Sequence, residues 1–152
     1  MAKRPRIFAT EDAVQLAKRR LPRMIFDFIE GSAGREAGAK RNEIRFDDIM
    51  LQPRVLSNVG TRSLTTRFLG REYGLPFGIA PMGMCNLACP DADAHIARIA
   101  KGRQMPVCLS SAGSSSLRDM NSWSGGMAWF QLYFGQFVES SLLAADRARD
   151  AS

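Results

Sequence analysis

With 152 residues, 45% of them hydrophobic and 24% charged, the chain has the composition of one folded domain, and disorder is not its default state. No apolar run approaches the roughly 20 residues of a membrane-spanning helix, and the opening MAKRPRIFATED puts no long apolar stretch behind its basic residues, so an unprocessed, cytoplasmic protein is expected. The net charge of +6 lies within residues 1–67, densest at Lys18, Arg19 and Arg20; no nucleic-acid motif accompanies it, and the expectation is a solvated helical face rather than a nucleic-acid surface.

The first half reads as helix. Thr10 is the expected N-cap of TEDAVQLAKRRLP, with Glu11 and Asp12 in the first turn and Pro22 as the stop. Met24, Ile25, Phe28 and Ile29 mark a second helix ending at Gly31, and EAGAKRNEIRFDDIM supplies a third. Residues 50–76 are irregular, punctuated by Pro53, Gly60, Gly70, Gly74 and Pro76, with one short strand expected around Thr65 to Leu69.

After Pro76 the texture changes. PFGIAP reads as a strand before the helix DADAHIARIAKGRQ, whose expected apolar stripe is Ala92, Ile96 and Ile99. VCLSS precedes SSSLRDMNSW, a helix capped by serine, and AWFQLYF precedes VESSLLAADRARD. Three strand-then-helix units predict an α/β fold with a parallel sheet, and divide the chain into a helical and irregular segment, 1–76, and three βα units, 77–152.

No GxGxxG lies between a strand and its helix, which disfavours a Rossmann dinucleotide site. The loops after the strands are PMGM, SSAGSSS and YFGQ, at the strand ends where α/β folds place ligands. Alternation puts Trp129, Gln131 and Tyr133 of the last strand on one face, and Ala128, Phe130, Leu132 and Phe134 on the other. Pro81-Met82-Gly83, Ser110-Ser111 and Gln131-Leu132-Tyr133 thus offer small or polar groups at three strand tips, suited to a flat heteroaromatic ligand. Each also has an ordinary structural reading: a bulge at Gly83, a helix-entry serine at Ser110, a satisfied amide at Gln131, a core aromatic at Tyr133. Three cysteines and one histidine, with Cys85 and Cys89 spaced as CNLAC, match neither zinc pairs nor a redox CxxC, and no metal site is expected.

LPRMIFDFIEGSAGREAGAKRNEIRFDDIMLQPRVL, LTTRFLGREYGLPFGIAPMGM, CLSSAGSSSLRDM and WFQLY resemble the N-terminal part of the FMN-dependent 2-hydroxy acid dehydrogenases and oxidases. The resemblance runs from about Phe8 to Asp150 and implies a partial (β/α)8 TIM barrel. It also implies FMN as cofactor, with Pro81, Met82 and Gly83 beside the flavin ring, Ser110 and Gln131 at its edge, and Tyr133 facing the substrate. A small 2-hydroxy acid is the implied partner, in a complete enzyme that forms homo-oligomers and sits in the cytoplasm or peripherally at the inner face of the membrane; the electron acceptor stays open.

Three positions depart from that pattern. Phe28 falls where many relatives carry a tyrosine that binds the substrate carboxylate, and Ala112 falls where glycolate oxidase has a tryptophan, leaving room for a side chain bulkier than that of glycolate. Ser32 replaces a usual glycine, with strain expected if that turn needs a positive φ. The family's catalytic histidine and carboxylate-binding arginine are expected beyond the chain end, since His95 lies inside a crossover helix. The expectation is therefore an inactive N-terminal fragment; the alternative is a non-catalytic flavin- or protein-binding module that oligomerises through open sheet edges.

Overall fold

The computed structural model describes residues 6–134, 136 and 138–150. Contacts divide the chain into two compact units, the first ending at Val59 and the second starting at Gly60. The first carries helices α1 (Thr10–Arg20), α2 (Arg23–Glu30) and α3 (Ala37–Asp47), none with a buried residue. Thr10 is not the cap of α1. Ala9 holds the cap position, and the Asp12 carboxylate reaches back to accept the Phe8 N–H at 2.9 Å and the Ala9 N–H at 3.2 Å. The strain expected at Ser32 does not arise, because Gly34 and Glu36 take the positive φ angles of this turn.

The second unit opens with an antiparallel hairpin, β1 (Thr66–Phe68) and β2 (Arg71–Tyr73), where the sequence predicts one strand. Leu69 and Gly70 both take positive φ, 49° and 78°, as a two-residue hairpin turn requires. Beyond it come the helices α4 (Ala92–Arg103), α5 (Leu117–Ser124) and α6 (Val138–Asp150) and the strands β3 (Val107–Ser110) and β4 (Ala128–Gln131). β3 and β4 pair in parallel, Val107 opposite Ala128 through Ser110 opposite Gln131.

The strand expected over PFGIAP is reduced to a single bridge, Ile79 to Val107. Pro76 and Pro81 have no N–H to donate, and only Ile79 completes the exchange, giving its N–H to the Pro106 carbonyl and accepting the Cys108 N–H, both at 2.9 Å. Order across the sheet is therefore the Ile79 segment, β3, β4.

One face of this sheet holds the core, where Val107 and Leu109 pack with Ala97, Ala100, Met105 and Met120 from the helix layer, flanked by Ala128 and Phe130. The buried residues of α4 are Ala92, Asp93, Ala94, Ala97 and Ala100; of the expected stripe, Ala92 is buried and Ile96 packs against the core, whereas Ile99 is 57% exposed. Alanine at the contact lets the helix axis approach the strands closely, which a row of isoleucines would prevent. Ser116 caps α5 by accepting the Asp119 N–H at 3.1 Å, and Gly125, at φ 65°, ends it.

The other face carries Cys108 and Ser110 beside Trp129 and Gln131. At its lower end the hairpin closes over it: the Trp129 indole N–H donates to the Tyr73 hydroxyl at 3.1 Å, Phe68 stacks on the indole with centroids 5.5 Å apart, and Arg71 donates to the Gly126 carbonyl.

Close approach at Gly78 gives a stability test. A Cβ there would meet the Pro106 carbonyl oxygen at 2.5 Å, whereas at Gly102 nothing lies within 4 Å. Gly78→Ala is expected to destabilise by about 1–3 kcal/mol, and Gly102→Ala, inside a helix, to stabilise by about 0.5–1 kcal/mol. Urea midpoints of the two variants moving in the same direction would contradict this packing.

Candidate functional site

Strand polarity and register bring the predicted residues together. Because Ser110 and Gln131 are opposed in the parallel ladder, their side chains leave the same face at the same height, and the Ser110 hydroxyl donates to Gln131 Oε1 at 3.0 Å. The same hydroxyl accepts the Ala112 N–H at 3.1 Å, so Ser110 is buried, and its hydrogen bonds orient the amide and the loop together. Gln131 Nε2, a donor only, makes no hydrogen bond among the described residues and is half-buried.

Ser111, noted in the sequence only as part of the strand tip, extends the junction past the end of the ladder. Its N–H donates to the Gln131 carbonyl at 3.0 Å, its hydroxyl donates to that carbonyl at 2.6 Å, and the same hydroxyl accepts the Tyr133 N–H at 3.1 Å. Tyr133 thus follows Gln131 beyond the end of β4, where the strand expected through Phe134 has already stopped, and the residue is 66% exposed. Gly135 of the same loop lies outside the described residues.

The Pro81-Met82-Gly83 segment reaches the same place from the other side of β3. The Met84 N–H donates to the Ala112 carbonyl at 2.9 Å, and a Cβ on Gly83 would sit 3.2 Å from the Ala112 methyl. Glycine is therefore what lets the first loop lie against the second. Below these loops, Phe77, Ile79, Cys108 and Trp129 line an apolar groove of about 440 Å³, floored by Phe68 and Tyr73 of the hairpin. The arrangement offers a flat, mostly apolar surface with a short row of hydrogen-bonding groups at one edge, open to solvent at the strand tips.

His95 is exposed on α4 and takes no part in this face, and Phe28, in the first unit, is 59% exposed. Among the described residues no cluster of His, Cys, Asp and Glu could hold a metal ion, and no helix is long and apolar enough to cross a membrane. Burial pushes the Cys85 thiol above its ordinary pKa, with the Asp93 charge adding to the effect, and burial alone raises Cys108.

The chain is similar to L-lactate dehydrogenase of Pseudomonas syringae pv. syringae (strain B728a), 36% identical over 127 residues that make up 84% of this chain and 33% of that one. Similarity to (S)-mandelate dehydrogenase of Pseudomonas putida is 36% over 127 residues, 84% of this chain and 32% of the relative. The crystal structure of a soluble mutant of the membrane-associated (S)-mandelate dehydrogenase from Pseudomonas putida superposes with a TM-score of 0.88 at 33% identity, over 97% of this chain and 42% of that one. The chain spans about a third of the length of the curated relatives it matches.

The thiols give a test of the site's packing. The thiolate is the species that is alkylated, so a raised pKa lowers the reactive fraction at any given pH. At pH 8, iodoacetamide is expected to label exposed Cys89 first, with Cys85 and Cys108 slower and accelerating as the pH rises further. Equal labelling of all three, read by peptide mass spectrometry, would contradict the burial described. Residues 17–152 match the family profile of the FMN-dependent dehydrogenases, and the chain belongs to that family.

Proposed function

We propose that this chain is the flavin-facing part of an FMN-dependent 2-hydroxy acid dehydrogenase or oxidase, built as the first three βα units of a (β/α)8 barrel. The observation that carries the reading is the Ser110–Gln131 pair: a buried hydroxyl holds the amide oxygen and leaves Nε2 as a donor with no partner among the described residues. That donor set fits a flavin ring. Gln131 Nε2 would meet a ring-edge carbonyl or nitrogen, and the backbone of Pro81, Met82 and Gly83 would lie along the ring, where side-chain bulk is least.

The chemistry such a cofactor supplies when bound is acceptance of two electrons from the α-carbon of the 2-hydroxy acid, leaving a 2-oxo acid. Tyr133, held by its N–H on Ser111, would present its hydroxyl to the substrate. The methyl group of Ala112 leaves room beside it, which favours a lactate- or mandelate-like acid over glycolate. A base and a carboxylate-binding cation complete such a site, and His95, exposed on α4, is not placed to be that base. The chain by itself is therefore expected to bind flavin without turning over. A cytoplasmic location with peripheral membrane contact, and a homo-oligomeric complete enzyme, extend the same reading.

A second reading, a flavin- or protein-binding module that assembles through its sheet edges, is favoured by one feature. Large apolar side chains, Phe77 and Leu142 among them, are exposed in the second unit. Sedimentation to a discrete soluble oligomer that strengthens with concentration would support it; a monomer at all concentrations would count against it.

Titration of the purified chain with FMN, followed by flavin fluorescence, tests the main reading. Saturable quenching is expected, weakened by about three- to tenfold in Gln131→Ala, the loss of one hydrogen bond. Absence of saturable quenching in the unsubstituted chain, or affinity unchanged in Gln131→Ala, would contradict it.

A further inference from the structure

Asp93 is the charged side chain that the site as described leaves unused. It lies in the first turn of α4 with only 4% of its surface exposed, and no ion pair reaches it among the described residues. A carboxylate so placed has lost its water and needs other donors. One is the Ser114 N–H, which donates to Asp93 Oδ2 at 3.0 Å, across 21 residues of sequence. The Cys85 thiol is close enough for the Asp93 charge to act on it.

These contacts are not scattered. Cys85 belongs to the short helical turn Cys85–Leu87 that follows Gly83 and Met84, and Ser114 to the loop that follows Ser110 and Ala112. Asn86, in the same turn, accepts the Ala92 N–H on Oδ1 at 3.1 Å and gives its own N–H to the Ser114 hydroxyl at 3.4 Å. Asp93 therefore stands where the loop after Ile79, the loop after β3 and the start of α4 meet, and its carboxylate is the one charged acceptor among these links.

We propose that Asp93 is a positioning residue: by holding the Ser114 N–H it ties the loop after β3 to α4 and the Met82–Asn86 turn, and so fixes the contact of Gly83 with Ala112 on which the ring-facing groups depend. Its last step rests on the flavin reading given above; the tether itself does not. A different role is available to an acid in the first turn of a helix, namely favourable interaction with the helix dipole, and the two roles separate on substitution. Asp93→Asn keeps an oxygen acceptor for Ser114 and loses the charge, whereas Asp93→Ala loses both.

Amide hydrogen exchange of the unsubstituted chain, Asp93→Asn and Asp93→Ala decides between them. The tether predicts that the Ser114 amide exchanges at least about tenfold faster in Asp93→Ala, stays within about threefold of the unsubstituted rate in Asp93→Asn, and leaves Ala97–Arg103 unchanged. Unchanged exchange at Ser114 in Asp93→Ala overturns the proposal, as does Asp93→Asn behaving like Asp93→Ala. If Asp93→Ala does not fold, the Ser114 rate in Asp93→Asn alone decides, protection supporting the tether and its loss overturning it. FMN titration of the same proteins reads the last step: about fivefold weaker binding in Asp93→Ala with rescue in Asp93→Asn is expected, and equal affinity overturns that step. Binding by none of the three overturns that step together with the flavin reading, while the exchange rates still decide the tether.

Discussion

The parallel register of β3 with β4 is the constraint on which the rest of the second unit depends. Setting Val107 opposite Ala128 puts Leu109 and Phe130 on the helix-covered face, and puts Ser110 opposite Gln131 on the other. A slip of β3 by one residue would exchange its two faces, turning the Ser110 hydroxyl toward the alanines of α4 and Leu109 outward. Core and site are therefore two consequences of one pairing. The same hydrophobic burial that holds the helix layer in place turns the polar pair to the opposite face of the sheet.

Around that pairing, the loops are held by hydrogen bonds rather than by bulk. Serine hydroxyls act twice each: Ser110 donates to Gln131 and accepts from Ala112, and Ser111 donates to the Gln131 carbonyl and accepts from Tyr133. Small side chains do this without filling the surface against which a flat ligand would lie. At the opposite end, the Trp129–Tyr73–Phe68 cluster closes the groove with aromatic area. A face that is polar and open at the strand tips and apolar and closed at their base suits a ligand with an apolar body and polar edges.

Much of this was readable from residue order, and the failures have physical causes. The strands expected in VCLSS and AWFQLYF are present, though the second ends at Gln131 and not at Phe134, and a serine caps α5 as its sequence suggests, because those signals are local. β2 was missed because three residues, REY, carry no pattern, and because Leu69-Gly70 is not the usual hairpin dipeptide. PFGIAP was read as a full strand although its prolines leave it one bridge. Of the stripe expected on α4, Ala92 is buried and Ile96 packs against the core, while Ile99 turns outward and Ala97 and Ala100 take the contact with the sheet, where small side chains let the helix approach. In the candidate site, residue order places Ser110 and Gln131 at adjacent strand tips, but their mutual hydrogen bond is a matter of register that no local signal carries. Asp93 was not legible, since a buried acid in a first helical turn looks the same in sequence as an exposed one. Its partner lies 21 residues away.

The proposed ring-reading edge at the strand tips runs through Gln131 and the Met82–Gly83 and Ala112 backbones. Two-dimensional NMR of the isotopically labelled chain with riboflavin, which presents the ring without a phosphate, tests it most directly. Saturable shifts are expected of the Gln131 side-chain amide and of the backbone amides at residues 82–84 and 112, with the α4 amides of Ala97–Arg103 unmoved. Shifts confined to other surfaces, or none at saturating riboflavin, would contradict it.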